Sequence, residues 1–243
     1  RILIVFFNLK IFFINLKRKI FSLFIIKFKK FTKNNVITNY QLNILQPDLS
    51  RYSLDLEKNN FTFIENFFTN SAYESLLKNW PNINFFSQNT NILKSYSHGF
   101  KDYNDFYNQE LKKIFSLVKS PELEKFVNQL LIFEKQKYYN YSMGLTMAGN
   151  NSYLVPHIDG VQENRSKTYN FIFFVDGNDL DPSLSGATGL YLDNNFEKPF
   201  FIPTTLKNSV LVYNSTSEFY HGFNFTSLQK NIYRKTINFQ FFP

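Results

Sequence analysis

The chain of 243 residues contains no cysteine, which excludes a disulfide scaffold, a thiolate zinc site and a cysteine nucleophile. The same absence favours a cytoplasmic location, where the reducing environment makes disulfides rare. No uninterrupted apolar run approaches the ~20 residues of a membrane-spanning helix. Phosphate-binding loops are also missing, because Gly186-Ala187-Thr188-Gly189 is followed by neither a lysine nor a predicted helix. With 44% hydrophobic residues, the chain is globular and long enough to bury a sizeable core.

Acidic residues are absent from residues 1–35, which hold nine of the 27 lysines and arginines. The remainder of the chain carries 18 basic and 19 acidic side chains. The net charge of +8 therefore belongs to the first segment, and the body of the chain is close to neutral. This distribution argues against a nucleic-acid partner, which would require basic groups on the body itself.

Residues 1–35 are mostly bulky apolar residues interrupted by Lys, Arg and Asn. On a helical projection most of the polar positions share an arc of roughly 120°. This pattern is typical of an interfacial basic helix on anionic lipid, which would bring a cytoplasmic protein to a membrane surface. The alternatives are the remnant of a longer anchor, an amphipathic helix packed on the domain, and a wrongly assigned start that translates AT-rich upstream sequence.

The composition then changes toward that of a folded domain. Residues 36–58 are polar and mixed in charge, so we expect a connector before a domain that spans residues 59–243. Phe61–Ile64 are β-prone. Ser71 and Glu74 have the spacing of a capping box, which predicts a helix that stops before Pro81.

A loop is predicted from there to about residue 103, and it contains the isolated His98. Helical spacing of apolar residues predicts a helix over 105–119. A second helix is predicted to begin at Ser120 as N-cap, with Pro121 in the first position. Residues 59–137 thus form the predicted helical part of the domain.

Residues 138–243 have the sequence pattern of a β domain, with loops rich in Gly, Asn, Asp and Ser between strand-like segments. The predicted strands are Tyr138–Met147, Tyr169–Val175, Leu190–Leu192, Ser209–Tyr213 and Lys235–Phe242. Their spacing indicates a sandwich or jelly roll and not a parallel α/β sheet. The predicted fold class is therefore mainly β with flanking α-helices.

Two of the three histidines lie in this β region, and one of them is part of a His-x-Asp motif. In a strand, residues i and i+2 project to the same face about 6.5–7 Å apart, so His157 and Asp159 can converge on one ion. His221, 64 positions later, could supply a third ligand across a barrel. Two imidazoles and one carboxylate form the facial triad of non-haem Fe(II) sites, which leaves positions for a bidentate 2-oxo acid and O2.

A 2-oxo acid with a distal carboxylate also needs a fixed cation away from the metal. Arg234 opens the last predicted strand, 13 residues after His221, and its fork can bind a carboxylate through two hydrogen bonds. Strand periodicity puts Arg234, Thr236, Asn238 and Gln240 on the face of the site, with Ile237, Phe239 and Phe241 on the opposite face under the helices. Lys235 is the alternative cation if the register is shifted by one residue.

These motifs occur in an order that resembles the 2-oxoglutarate- and Fe(II)-dependent oxygenase superfamily, near its prolyl-4-hydroxylase-like bacterial and viral members. The resemblance covers residues 61–242. Its motifs are Phe63-Ile-Glu-Asn-Phe-Phe68, Ser120-Pro-Glu-Leu-Glu-Lys-Phe126, Pro156-His-Ile-Asp159, Tyr169-Asn-Phe-Ile-Phe-Phe-Val175, Gly186-Ala-Thr-Gly-Leu-Tyr-Leu192, Ile202-Pro203 with Asn208, His221-Gly222 and Arg234-Lys-Thr236. The Ala-Thr pair stands where relatives often have two glycines.

The resemblance implies a double-stranded β-helix, the cupin-like jelly roll, with helices packed on one sheet. It implies that His157, Asp159 and His221 ligate iron and that Arg234 binds the distal carboxylate of 2-oxoglutarate, with Thr236 in support. Asn170 and Tyr153 are expected to line the pocket.

The implied reaction is a dioxygenation with O2, with ascorbate as a further cofactor in some members. It converts 2-oxoglutarate to succinate and CO2 and hydroxylates an unactivated C–H bond. Asp159 argues against the halogenating branch, which resembles this pattern but has Gly or Ala at that place.

The residues leave three functions open. The first is an oxygenase acting on a peptidyl side chain, proline first, or on a sugar, lipid or small metabolite. The second is a metal-binding jelly roll without oxygenase activity. The third is a protein whose main role is membrane association through residues 1–35. The sequence does not determine the oligomeric state.

Overall fold

The computed structural model describes residues 48–83, 86–91, 94–100, 121–159, 167–176, 180–195, 197–215 and 219–243. All of them belong to the second of the two units into which the chain divides, residues 41–243. The basic segment 1–35 and the helix predicted over 105–119 lie outside the described residues. In the part of the chain that is described, no helix has both the length and the apolar composition needed to cross a membrane.

The described helices are short and amphipathic. They are α1 (Leu49–Asn59), α2 (Asn70–Lys78) and α3 (Pro121–Leu130), and a 3-10 helix follows at Ile132–Glu134. The helix predicted around Pro121 is therefore confirmed.

Two predictions about the first helices are wrong in detail. The connector predicted over residues 36–58 is wrong for Leu49 onward, because α1 forms there: the Asp48 side chain accepts a capping hydrogen bond from Ser50 N–H, and Leu56 is buried in the core. α2 is capped by Thr69, whose hydroxyl accepts a hydrogen bond from Ala72 N–H, and not by Ser71.

The strands form one curled antiparallel sheet. They are β1 (Phe61–Glu65), β2 (Phe86–Asn91), β3 (Lys94–Phe100), β4 (Tyr139–His157), β5 (Tyr169–Phe174), β6 (Gly189–Tyr191), β7 (Pro199–Phe201), β8 (Ser209–Asn214), β9 (Tyr220–Phe223) and β10 (Arg234–Phe242). The order across the sheet is β1-β8-β5-β10-β4-β9-β6-β7, and the β2–β3 hairpin pairs with β4. This is the jelly-roll architecture predicted from the sequence.

The 19-residue β4 is shared between the two halves of the curled sheet. Its first part pairs with β10, where Ala148 lies opposite Arg234, and its last part pairs with β9, where His157 lies opposite His221. The register is irregular between Leu154 and His157, and Asn151 has a positive φ of 59°. These irregularities bend the strand, so that residues of one strand line both ends of the same interior.

The faces of β10 divide as predicted. Ile237, Phe239 and Phe241 are buried in a core that contains side chains of all three α-helices, among them Leu56, Leu76 and Val127. Fully burying an aliphatic or aromatic side chain of this size stabilises a fold by about 1.5–3 kcal/mol. This cluster fixes the outer face of the sheet and directs the polar face of β10 inward.

Four strand predictions differ from the structure. The strand predicted over Tyr138–Met147 is β4, which begins at Tyr139 and continues to His157, because pairing with β9 extends it beyond the part that pairs with β10. The loop expected up to about residue 103 is the β2–β3 hairpin, in which His98 lies. β7 and β9 were not predicted as strands, because each spans only three or four residues. Such short strands show too little alternation to be recognised. β9 is stabilised by pairing with β4, which is distant in sequence, and β7 by pairing with the neighbouring β6.

Candidate metal centre

The three predicted ligands converge at one end of the jelly-roll interior. His157 is the last residue of β4, Asp159 follows two residues later, and His221 lies in β9 opposite His157. The Nε2 atom of each histidine is 3.7 Å from Oδ1 of Asp159, and the ring centroids are 4.3 Å apart. One ligand atom from each residue lies within 4.8 Å of the others. Donor atoms at this spacing can share a single ion.

Hydrogen bonds outside the triad orient two of these ligands. Nδ1 of His157 lies 2.8 Å from the carbonyl oxygen of Val155, so the ring proton is on Nδ1 and the lone pair of Nε2 faces Asp159. Oδ2 of Asp159 accepts a hydrogen bond of 2.8 Å from Nδ2 of Asn170. The other carboxylate oxygen, Oδ1, is thereby directed at the two imidazoles.

Asn170 links the carboxylate to a buried tyrosine. Its amide also donates to the hydroxyl of Tyr213 at 2.9 Å, and the ring of Tyr213 lies 5.3 Å from that of His221. Burial, and secondarily the charge of Asp159, raises the pKa of Tyr213 well above its ordinary value. Tyr213 therefore stays protonated and acts as a neutral wall of the site.

A glycine allows β9 to lie close enough to β4 for the histidines to meet. A Cβ atom at Gly222 would lie 2.5 Å from the carbonyl oxygen of Leu154 and 2.8 Å from the nitrogen of Pro156. Real Cβ atoms essentially never come this close to backbone, so a side chain at this position would push the two strands apart. The residue after His221 is therefore constrained by strand packing.

The triad opens into a cavity of about 380 Å³ between the two halves of the sheet. Arg234 lines the same cavity, although its side chain is only 3% exposed. Burial lowers the pKa of this guanidinium to about 10, against an opposing effect of Asp176. The group nevertheless remains protonated at neutral pH.

Few groups satisfy this buried cation. Nη1 donates to the hydroxyl of Thr188 at 2.9 Å, and the guanidinium carbon lies 4.2 Å from the ring centroid of Phe223. Its Nε–H has no hydrogen-bond partner among the described residues, and no described carboxylate forms an ion pair with it.

The remaining polar positions of β10 also reach the cavity. Thr236, Asn238 and Gln240 line it, and the hydroxyl of Thr236 is 2.5 Å from that of Thr146 in β4. Phe239, from the apolar face, also borders the cavity. Lys235 lines a separate cavity of about 420 Å³ together with Trp80 and Asp176. Of the two candidate cations, only Arg234 shares a cavity with the triad.

Of the two other predicted pocket residues, Asn170 lines the cavity and Tyr153 does not. Asn170 is buried at the centre of the site and lines the cavity. The ring of Tyr153 packs against Phe225 at 4.6 Å, and Tyr153 is not among the residues that line the cavity. Its proposed pocket role remains a prediction without a supporting contact.

Four residues that build the site were not found from the sequence: Thr146, Thr188, Tyr213 and Phe223. Thr188 alone had a signal, because it is half of the Ala-Thr pair that departs from the family pattern. The others lie on strands whose neighbours are set by long-range register, which local periodicity does not reveal.

The chemistry of the donor set fits Fe(II) and a dicarboxylic oxo acid. Two imidazole nitrogens and one carboxylate oxygen suit a divalent first-row metal and leave coordination positions open. The unpartnered Nε–H of the buried Arg234 calls for an anion in the same cavity.

Comparison with known proteins gives matches among solved structures alone. No family model matches the chain. No curated protein matches it by sequence either. The prolyl-4-hydroxylase of Pseudomonas putida has a TM-score of 0.57 and 11% identity over 80% of this chain and 98% of that one.

Two further structures show the range of this likeness. A prolyl hydroxylase of Trichoplax adhaerens, in complex with a peptide of a hypoxia inducible factor, has a TM-score of 0.59 and 15% identity over 80% and 88% of the two chains. HygX of Streptomyces hygroscopicus, with nickel, 2-oxoglutarate and hygromycin B bound, has a TM-score of 0.52 and 12% identity over 79% and 86%. The chain therefore has the fold of the 2-oxoglutarate- and Fe(II)-dependent oxygenases, as its sequence predicts.

Proposed function

We propose that the protein is an Fe(II)- and 2-oxoglutarate-dependent dioxygenase that hydroxylates an unactivated C–H bond. The observation that carries this proposal is that a His-Asp-His triad lines one cavity with a buried arginine that forms no ion pair with any carboxylate of the described residues. A metal-binding module without a cosubstrate would need the triad but has no use for the buried cation. Burying a cation costs free energy unless an anion pairs with it. The cavity is therefore suited to a ligand with a carboxylate at its far end.

In this mechanism His157, Asp159 and His221 would hold Fe(II). Bound there together with 2-oxoglutarate, Fe(II) would supply the O2 chemistry of C–H hydroxylation, which is coupled to conversion of the oxo acid to succinate and CO2. The carbonyl of Val155 keeps the proton of His157 on Nδ1, and Asn170 fixes the carboxylate. Both contacts keep the ligand atoms aimed at one point before the metal arrives.

The far end of the cavity binds the distal carboxylate. Arg234 provides the charge and a forked donor, and the hydroxyl pair of Thr146 and Thr236 lies on the adjoining strand positions. Leu154, Ile172 and Phe223 contribute apolar walls that exclude water from the space between the two ends.

For the substrate we propose a peptidyl side chain, with proline first. The support is the fold that the chain shares with two prolyl hydroxylases, one of them in complex with a peptide. A small-molecule substrate is the alternative, because HygX has the same fold and its structure contains hygromycin B. Measuring 2-oxoglutarate consumption with proline-containing peptides, and with matched peptides in which alanine replaces proline, tests this choice.

The deciding experiment is the anaerobic addition of Fe(II) and then 2-oxoglutarate to the protein. We expect a weak visible metal-to-ligand band that requires both components, because the oxo acid chelates the ferrous ion. Asp159→Ala should abolish the band and bind iron at least about tenfold more weakly, since it removes one of three ligands. His98→Ala, a histidine outside the triad, is the matched control and should retain the band. Iron binding by the unaltered protein without any response to 2-oxoglutarate would instead support a non-catalytic metal module.

A further inference from the structure

Arg234 is held by two side chains from the opposite half of the sheet, one just before β6 and one in β9. Thr188 immediately precedes β6, and its hydroxyl accepts the hydrogen bond from Nη1. Phe223 ends β9, and its ring lies against the guanidinium. Thr188 and Phe223 are 4% and 2% exposed, so neither has room to change position without repacking its neighbours.

The partner of Nη1 is neutral, and this matters for a ligand site. A carboxylate at position 188 would neutralise the guanidinium and compete with an incoming anion. A hydroxyl orients the group but leaves its full positive charge available. An arginine without such contacts would sample several rotamers, and binding a ligand would then require that it lose that freedom.

We propose that Thr188 is a positioning residue: it holds Nη1 of Arg234 so that the remaining N–H groups meet the distal carboxylate of a 2-oxo dicarboxylic acid. The inference rests on the proposed function, because it assumes that the acid binds between the triad and Arg234. Thr188 does not itself contact the metal ligands in the described geometry and acts through Arg234.

The test compares two ligands on the full chain loaded with Mn(II), which takes the place of Fe(II) and prevents turnover. 2-Oxoglutarate reaches Arg234, whereas pyruvate has the same oxo acid group and no distal carboxylate. Titration calorimetry on Thr188→Val should show that 2-oxoglutarate binds at least about tenfold more weakly than to the unaltered protein, as expected for losing a hydrogen bond to a charged group. Pyruvate binding should change by less than about twofold on the same reasoning. Thr188→Ser, which keeps the hydroxyl, should restore affinity for 2-oxoglutarate.

The outcomes separate this inference from the function on which it rests. Unchanged 2-oxoglutarate affinity in a folded Thr188→Val protein, or equal weakening of both ligands, overturns the role of Thr188 and leaves the proposed function standing. If the unaltered protein binds 2-oxoglutarate no better than pyruvate, the carboxylate site at Arg234 is wrong and the inference falls with it. Thr188→Ala serves as a second variant should the valine protein fail to fold.

Discussion

Asp176, two residues after the end of β5, is a buried carboxyl group behind the cation of the candidate site. Its Oδ1 accepts a hydrogen bond from the backbone N–H of Lys235, and its backbone carbonyl accepts one from the hydroxyl of Tyr73. Asp176 thus fixes the first residues of β10, from which Arg234 extends to the other side of the sheet. Burial raises the pKa of Asp176 to about 7, although the Lys235 hydrogen bond and the charge of Arg234 act in the opposite direction.

This raised pKa predicts a pH dependence of stability. Between pH 3.8 and about 7 the folded protein retains a proton that the unfolded chain has released, so the free energy of unfolding falls as pH rises through that range. Asp176→Asn keeps an oxygen for Lys235 and removes the ionisation. We expect the variant to gain stability relative to the unaltered protein by up to about 4 kcal/mol from pH 4 to pH 7.5, measured by urea denaturation.

Asp181→Asn is the contrasting control for this measurement. Hydrogen bonds from Ser183 lower the pKa of Asp181, so its contribution to stability grows as pH rises, which is the opposite sign. A difference between the Asp176→Asn and unaltered proteins that does not vary with pH would show that the buried carboxyl titrates normally.

Single residues were the part of the site that the sequence could predict best. His157 and Asp159 were recognisable as a His-x-Asp pair, although β4 ends at His157 and Asp159 lies just beyond the strand that was expected to carry both. Arg234 was recognisable because polar and apolar side chains alternate in β10 from Thr236 to Phe241. Thr188, Phe223 and Tyr213 could not be assigned in this way. Their proximity to Arg234 or to His221 depends on which strands pair, and no local pattern encodes that.

At the level of elements, the contact between β9 and β4 controls the separation of the two histidines. Gly222 lies between His221 and Phe223 and permits the close approach of β9 to the bend of β4. We expect Gly222→Ala to weaken metal binding at least about tenfold and to lower stability by about 1–3 kcal/mol, because overpacking must be relieved by strand displacement.

Gly144→Ala is the matched control, because a Cβ atom at Gly144 would meet no heavy atom within 4 Å. Metal titration and thermal unfolding of the two variants separate a packing effect from a general loss of glycine flexibility. Equal metal affinity in both variants would show that β9 tolerates the displacement.

Several elements were beyond prediction for physical reasons. β2 and β3 contain mostly polar residues in the sequence Phe86-Ser-Gln-Asn-Thr-Asn91 and Lys94-Ser-Tyr-Ser-His-Gly-Phe100, so they lack the apolar alternation that predicts strands. The edge of β4 gives this hairpin its backbone partners. α1 was missed because its charged residues hide the single stripe that carries Leu56.

At the level of the whole molecule, residues 1–35 carry nine basic and no acidic residues, whereas the rest of the chain is close to neutral. We propose that residues 59–243, with the helix α1 ahead of them, form the catalytic domain and that residues 1–35 contact the membrane. Deleting residues 1–35 should leave the Fe(II)- and 2-oxoglutarate-dependent band unchanged, since no described site residue is removed.

The same deletion tests the lipid interaction. The full chain should sediment with vesicles rich in anionic lipid, and the truncated chain should remain in the supernatant, because the nine basic residues are lost. Added salt should weaken sedimentation of the full chain by screening these charges. A truncated protein that is folded but no longer binds 2-oxoglutarate would show that the first segment contributes to the site.

The shared strand β4 has a consequence for the chemistry of the cosubstrate. Thr146, at the Arg234 end of the cavity, and His157, at the triad end, are positions of one continuous backbone that bends near Asn151. The number of residues in this bend therefore sets the distance between the two ends of the cavity. Inserting or deleting one residue there would change the length of oxo acid that fits, so a homologue with an altered bend should select a diacid with a longer or shorter carbon chain.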